Sequence, residues 1–228
     1  MPDPANRSPK AELTRQAIVD AALRLFRAGG YDRTTMRAIA DEAGVSAGNA
    51  YYYFGSKEHL VQAFYDQMQV EHARAAEVAL AGTQAFADRL RGVFLAWVEV
   101  AAPYHEFAGK FFKNAAEPTS PLSPFSPESA PARDASIEIF RRVLDGSDLR
   151  LSPALRREMP ELLWLLHMGV VLFWVHDRSP GQARTRVLVD RAVPLVDKLA
   201  RLTRLPVVRG VVNDLVDLMS SLRAEGAS

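Results

Sequence analysis

Cysteine is absent from this 228-residue chain. That excludes a disulfide framework, thiol catalysis and any thiolate metal site. Net charge is nearly absent as well: 28 Lys and Arg stand against 27 Asp and Glu, a formal +1. The first 60 residues repeat the balance, with Arg7, Lys10, Arg15, Arg24, Arg27, Arg33, Arg37 and Lys57 facing a nearly equal set of carboxylates. Strong non-specific attraction to a polyanion is not expected. Any nucleic-acid affinity has to come from a few placed cations and helix N-termini, doubled by dimerisation. Long hydrophobic runs are missing too. The longest, Leu162 to Val175, is interrupted by His167 and Gly169 and falls short of the ~20 residues a membrane-spanning helix needs. The opening MPDPANRSPK has no apolar segment of the signal-peptide kind. The expectation is a cytoplasmic protein with no membrane partner.

The signatures of catalysis are missing in the same way. His59, His72, His105, His167 and His176 show no metal-ligand spacing, and the chain holds no H-E-x-x-H, P-loop or G-x-S-x-G. No paired carboxylates suggest a cleft. The reading is therefore no enzyme, no catalytic residue, no metal and no cofactor.

What the chain does have is 48% hydrophobic residues, enough for a sizeable core, and a run of short helical patterns at its start. Ser8-Pro9 opens the first helix as an N-cap with proline at the first helical position. Its apolar face is Leu13, Ile18, Ala21, Ala22, Leu25 and Phe26, and Gly29-Gly30 ends it. Thr34-Thr35 caps a second helix with Met36, Ile39, Ala40 and Ala43 on its buried stripe. Gly44 turns the chain, Val45 plugs the corner, and Ser46 caps a third helix, SAGNAYYYF. Ala50 and Phe54, four apart, face inward. Asn49, Tyr52 and Tyr53 then face outward, with Tyr51 at the flank. Two short helices joined by a tight turn, the second rich in outward tyrosines, is the layout that places a helix in the major groove. Each tyrosine offers a flat apolar face to a thymine methyl or a sugar, and a hydroxyl to a phosphate or a base.

The stretch ALRLFRAGGYDRTTMRAIADEAGVS, followed by Gly48-Asn49-Ala50-Tyr51-Tyr52-Tyr53-Phe54 and Ser56-Lys57-Glu58-His59-Leu60, resembles the TetR/AcrR family of bacterial transcriptional regulators. Glycines, caps, small core residues and aromatics all fall in register over roughly residues 12–62. The resemblance implies that Thr35 and the N-terminus of its helix hold a backbone phosphate and that Arg37 reaches a phosphate or a base. It implies that Ser46, Ala47, Asn49, Tyr52 and Tyr53 face the major groove, and that Tyr51 and Lys57 clamp phosphates on either side. Two positions depart from the family pattern: Ala50 stands where Leu or Val is common, and Tyr53 where His is frequent.

From Ser56 the chain reads as helix nearly to its end: to about Leu80, then to about Ala102, a further segment from Pro103, and helices over about 132–144, 153–176, 184–202 and 206–222. Residues 117–131, EPTSPLSPFSPESAP, are too proline-rich for helix and read as one long loop, a lid or a disordered segment, with Leu122 and Phe125 able to fix it to the body. The core of the 153–176 helix is apolar on all sides, which predicts burial on all sides, one against a partner subunit and one lining a cavity. Phe64, Met68, Phe94, Trp97, Phe107, Phe111, Trp164 and Met168 make an aromatic and methionine-rich candidate pocket of the kind found between bundle helices. Tyr104 and His167 are its polar members, and Asn114 and His105 are further polar candidates.

The expected architecture is all-α: an N-terminal three-helix helix-turn-helix DNA-binding domain over residues 1–55, and a larger C-terminal helical ligand-binding and dimerisation domain over 56–228. The expected function is a one-component transcriptional repressor. Two subunits pair through C-terminal helices into a four-helix bundle, and the homodimer grips a pseudo-palindromic double-stranded DNA operator. A small, largely apolar effector releases it. The alternative is a DNA-binding architectural or cell-cycle protein of the same fold, controlled by a protein partner.

Overall fold

The computed structural model describes residues 8–225, and among these every regular element is helical. The order is α1 Pro9–Gly29, α2 Met36–Glu42, α3 Ala47–Tyr53, α4 Lys57–Ala81, α5 Phe86–Ala101, α6 His105–Ala116, α7 Ala130–Asp145, α8 Pro153–His176, α9 Ala183–Leu202 and α10 Arg209–Glu225. Short 3-10 turns precede α6, α9 and α10. The chain forms two compact units. The first takes in the chain up to Gln69 together with Pro103–Arg133; the second takes in Val70–Ala102 and the chain from Asp134 onward. Helix α4 thus begins in the first unit and ends in the second.

In the first unit, local chemistry sets each helix end. Ser8, Thr35 and Ser46 each turn a side-chain oxygen back onto a backbone N–H three residues on, at 3.2–3.3 Å, satisfying donors that a helix start leaves orphaned. Gly30 ends α1 at φ 85°, ψ 155° and Gly44 makes the α2–α3 turn at φ 69°, conformations that L side chains rarely adopt. Ile18, Ala21, Ala22, Phe26, Ile39, Ala40, Ala50 and Phe54 are all buried to 2% exposure or less, so α1, α2 and α3 share one small core. Leu13, expected on the inner face of α1, is instead exposed. It lies in the first turns, and Val19 and Leu23 take the inner places instead.

The proline-rich segment of this unit is ordered as a string of turns. Ser120, Ser123 and Ser126 N–H groups donate to the carbonyls of Glu117, Ser120 and Ser123 at 3.0 Å each, and Ala130 closes onto Pro127. The cause is a three-residue repeat, Ser-Pro-Leu, Ser-Pro-Phe, Ser-Pro-Glu: proline presets φ for a turn and the serine hydroxyl caps an N–H two residues on, as Ser120 does for Leu122 and Ser123 for Phe125. Gln62 of α4 donates to the Pro121 carbonyl at 2.7 Å and to Ser129 Oγ at 3.1 Å. Leu122 is buried as expected, whereas Phe125 is 63% exposed.

The second unit is built on one continuous apolar core. Leu80, Phe86, Leu90, Val93, Phe94, Phe140, Val143, Leu144, Leu155, Leu163, Trp164, Val189 and Val193 all belong to it. Arg89 ties its edge together. The guanidinium, 7% exposed, donates to the carbonyls of Leu80 (2.8 Å), Thr83 (2.9 Å), Val143 (3.0 Å) and Arg142 (2.7 Å). It therefore satisfies orphan carbonyls at the ends of α4 and α7 together. Gly146 leaves the space the guanidinium fills: a Cβ there would collide with it. Between α8 and α9 the buried Asp177 carboxylate accepts four bonds, from the N–H and hydroxyl of Ser179 and of Thr185, at 2.7–2.9 Å. Desolvation pushes the Asp177 pKa up, and these four donors outweigh it and hold the group well below the usual carboxylate range.

Helix α8 meets its own chain with one of the two sides expected to be covered, the other being the side expected to face a partner subunit. It is long and apolar enough to cross a membrane by length and composition alone, yet only one face is buried, through Leu155, Met159, Leu163, His167, Val170 and Trp174. Leu165 and Leu172 stand exposed on the other. Pro160 lies inside α8 and Pro194 inside α9, without ending either helix.

Candidate functional site

The α2–turn–α3 segment presents one polar and aromatic surface. Ala50 at the centre of α3 is fully buried and Phe54 follows it inward, fixing the helix rotation. That rotation leaves Ser46, Ala47, Asn49, Tyr51 and Tyr52 exposed, the two tyrosines at 54% and 61%. Tyr53 is half-buried, and its ring meets Tyr52 edge-on at 5.4 Å between centroids. Thr35 and Arg37 are exposed at the start of α2. Thr35 directs its side-chain oxygen at the Ala38 N–H.

Lys57, expected to clamp a phosphate, is engaged within the protein. Its ammonium donates to the Tyr31 carbonyl at 2.9 Å and lies 4.4 Å from the centre of the Tyr31 ring. Tyr31 in turn donates its hydroxyl to Glu58 at 2.6 Å. Burial, then the bond to Glu58, pushes the Tyr31 hydroxyl pKa up, so it remains a donor at any ordinary pH. The start of α4 is thereby tied to the α1–α2 turn.

The ten residues expected to line a pocket divide between the two units. Phe64, Met68, Tyr104, Phe107 and Phe111 fall in the first. Phe107 stacks on Phe26 of α1 at 5.9 Å and on Phe111 at 5.2 Å, Phe111 meets Tyr31 edge-on at 5.4 Å, and Phe64 meets Tyr104 at 4.8 Å. The Arg27 guanidinium lies over the Tyr104 ring at 4.8 Å. This set forms a ring-to-ring path joining α6 and α4 to α1. Phe94, Trp97, Trp164, His167 and Met168 fall in the second unit. There His167, 1% exposed, is surrounded by Trp97 at 5.0 Å, Phe140 at 5.6 Å, Phe94 at 5.8 Å and His72 at 5.8 Å between ring centroids.

His72, fully buried on α4, enters the sequence reading only as one of five histidines without metal spacing. Nothing local marks it, because its partners lie on α5 and α8. Its Nε2 meets the Val93 carbonyl at 3.0 Å, and its Nδ1 and that of His167 are buried with no hydrogen-bond partner. Desolvation pushes the His72 pKa down to about 4 against a weaker opposing effect of the Val93 bond, and holds His167 well below the usual imidazole range, helped by His72 itself. Burial thus favours the neutral form of both imidazoles at neutral pH. Among the described residues no three His, Cys, Asp or Glu converge as a metal site.

A capped tri-helical unit with an exposed tyrosine-bearing third helix, joined to a helical body by one continuous helix, defines a helix-turn-helix regulator. Known proteins agree. Residues 18–64 match the family of bacterial regulatory proteins of the tetR type, and residues 89–222 match the tetracyclin repressor-like C-terminal domain. The chain belongs to the TetR family of transcriptional regulators. It is 44% identical over 71 residues to the HTH-type transcriptional regulator TtgR of Pseudomonas putida, covering 30% of this chain and 34% of that one. It is 42% identical over 69 residues to the transcriptional repressor KstR of Mycolicibacterium smegmatis, again covering 30% and 34%. The chain thus spans about a third of the length of these curated relatives. Across the whole fold it is similar to the TetR regulator of Nitrosomonas europaea ATCC 19718 (TM-score 0.63, 19% identity, 80% of this chain and 97% of that one). It is also similar to Thermus thermophilus FadR, a repressor solved with lauroyl-CoA (TM-score 0.58, 25% identity, 78% and 92%).

Proposed function

We propose that the protein is a dimeric repressor that grips a pseudo-palindromic operator through α3 and is released by a small, largely apolar effector. The observation that carries the reading is the rotation of α3: burial of Ala50 and Phe54 turns Asn49, Tyr51 and Tyr52 to solvent on a capped helix. In this reading Ser46, Ala47, Asn49, Tyr52 and Tyr53 meet base edges and sugars, and Thr35, Arg37, Tyr51 and Lys57 meet phosphates. Lys57 has to leave or share the Tyr31 carbonyl to do so.

Pairing of two copies is supported by the outer faces of α8 and α9. Leu165 and Leu172 on α8 and Val187, Leu195, Leu199 and Leu202 on α9 are exposed, and such a stripe on adjacent helices is what a second copy covers in a four-helix bundle. The effector is received among Phe94, Trp97, Trp164, His167 and Met168. Phe107 and Phe111, which touch Phe26 and Tyr31, convey the response to α1, with Phe64 and Tyr104 packed behind Phe107. Effector and operator then oppose each other reciprocally, by typically ~1–3 kcal/mol.

Paired variants test the division of labour. Tyr52→Ala is expected to weaken operator binding in a fluorescence-anisotropy titration while the thermal melt stays put. Trp97→Ala is expected to change the effector response and leave unliganded DNA binding intact. A Tyr52→Ala protein that footprints the operator as well as wild type overturns the docking assignment. Equal loss of both responses in Trp97→Ala makes that residue structural core.

A further inference from the structure

The buried histidine pair of the second unit carries a statement about ligand chemistry that rests on the effector reading above. The Val93 carbonyl only accepts, so the 3.0 Å contact requires His72 to carry its proton on Nε2. A neutral imidazole has one proton, and so His72 Nδ1 is a bare acceptor. It is fully buried and has no partner. His167, also buried and with its own Nδ1 unpartnered, stacks on His72 with 22° between the ring planes. Phe94, Trp97 and Phe140 surround His167. Buried polar atoms without partners are rare in folded proteins and ask for an explanation. Two of them on facing rings inside an aromatic cage point to a group that arrives from outside.

We propose that His72 and His167 together receive the hydroxyl group of a neutral, flat, apolar effector, a phenol or comparable alcohol, with His72 Nδ1 accepting its hydrogen. The ligand must donate, because His72 Nδ1 has no proton to offer. A carboxylate has no hydrogen to give and would carry its charge into an aromatic site whose imidazoles burial holds neutral. An ammonium donates, but its charge is costly to desolvate among Phe and Trp rings. A hydroxyl donates its one hydrogen to His72 Nδ1 and keeps its lone pairs to accept from His167 when that ring carries its proton on Nδ1. His72 sits on α4, the helix that begins at the DNA-reading segment, so this hydrogen bond falls on the element shared by both units.

The test uses the full chain and three probes on one aromatic frame: 1-naphthol, naphthalene and 1-naphthoate. Intrinsic fluorescence reports binding, since Trp97, Trp164 and Trp174 all lie in the second unit. 1-Naphthol is expected to bind at least tenfold tighter than naphthalene, and 1-naphthoate weaker than both. In His72→Leu the preference for naphthol is expected to fall to near unity while naphthalene affinity is retained. Nitrogen-15 NMR of the wild-type histidines keeps the idea testable if that variant misfolds. His72 is expected to show an unprotonated Nδ1 whose resonance shifts on naphthol addition and not on naphthalene addition. Equal affinity for naphthol and naphthalene overturns the hydroxyl assignment and leaves the apolar-effector reading standing. No binding by any of the three overturns both. A protonated Nδ1 on His72 overturns the acceptor argument at its root.

Discussion

The DNA-reading end and the body keep their informative polar groups in opposite places. In the first unit the side chains that define the site are exposed on α2 and α3, and their positions follow from caps and turns a few residues away. In the second unit they are buried, and their positions follow from contacts between helices far apart in sequence. A surface reader needs only a rigid rotation of one short helix. In the proposed function, a sensing core needs a polar group placed inside an apolar medium, where each unmet hydrogen bond matters. The two ends therefore fail differently when a structural polar group is removed: the first by losing contact chemistry while staying folded, the second, at Arg89 and Asp177, by losing stability.

The largest expected effect is in the body. Arg89→Ala strips four carbonyls of their donor in a buried setting and is predicted to cost about 3–5 kcal/mol, read as a shift in the urea midpoint. A loss below ~1 kcal/mol would mean that water replaces the guanidinium and that the edge of the body is looser than described. Asp177→Ala comes next, at about 2–3 kcal/mol, for removal of a charged acceptor of four bonds. Asp177 also predicts a pH dependence. Its folded pKa lies below its unfolded value of ~3.9, so its contribution is complete above that value and is lost as pH falls below it. Stability measured from about pH 6 downward should therefore decline below about pH 4, and Asp177→Asn should flatten part of that decline. An unchanged slope in the variant would assign the acid sensitivity to other carboxylates.

Effects at the reader are smaller in stability and larger in binding. Tyr52→Ala is predicted to cost about 1–3 kcal/mol of operator affinity with the melting temperature unchanged, the reverse of the Arg89 pattern. The smallest is Ser46→Ala. It removes the cap of α3 and is predicted to cost about 1 kcal/mol of stability, with a matching modest fall in DNA affinity because the reading helix frays at its first turn. If Ser46→Ala abolishes DNA binding while leaving stability alone, the hydroxyl contacts DNA directly rather than holding the helix.

Legibility in the sequence divides along the same line. Ser8, Thr35, Ser46, Gly30 and Gly44 announce the reader because caps and positive-φ turns are local chemistry, and the burial of Ala50 and Phe54 follows from their spacing of four. The TetR resemblance, the all-helical fold and most helix boundaries are legible for the same reason. Leu13 misleads because periodicity does not say where a helix first meets the core. Phe125 misleads as to burial because hydrophobicity alone does not bury a residue; the Ser-Pro turns, buried Leu122 and Gln62 hold that loop in order. The even hydrophobicity of α8 predicts cover on one side by its own chain and on the other by a partner; the chain covers the first, and the open apolar face continues on α9. His72 is invisible, since only tertiary packing brings it from α4 to His167 on α8.

The most direct measurement is an anisotropy titration of the full chain against the DNA flanking its own gene, at two salt concentrations, with wild type and Tyr52→Ala in parallel. The predicted result is saturable, sequence-dependent binding by a dimer, weakened by added salt, and at least tenfold weaker in the variant at unchanged fold. Binding that is equal for the two proteins, or that ignores sequence, would contradict the claim that α3 is the reading helix.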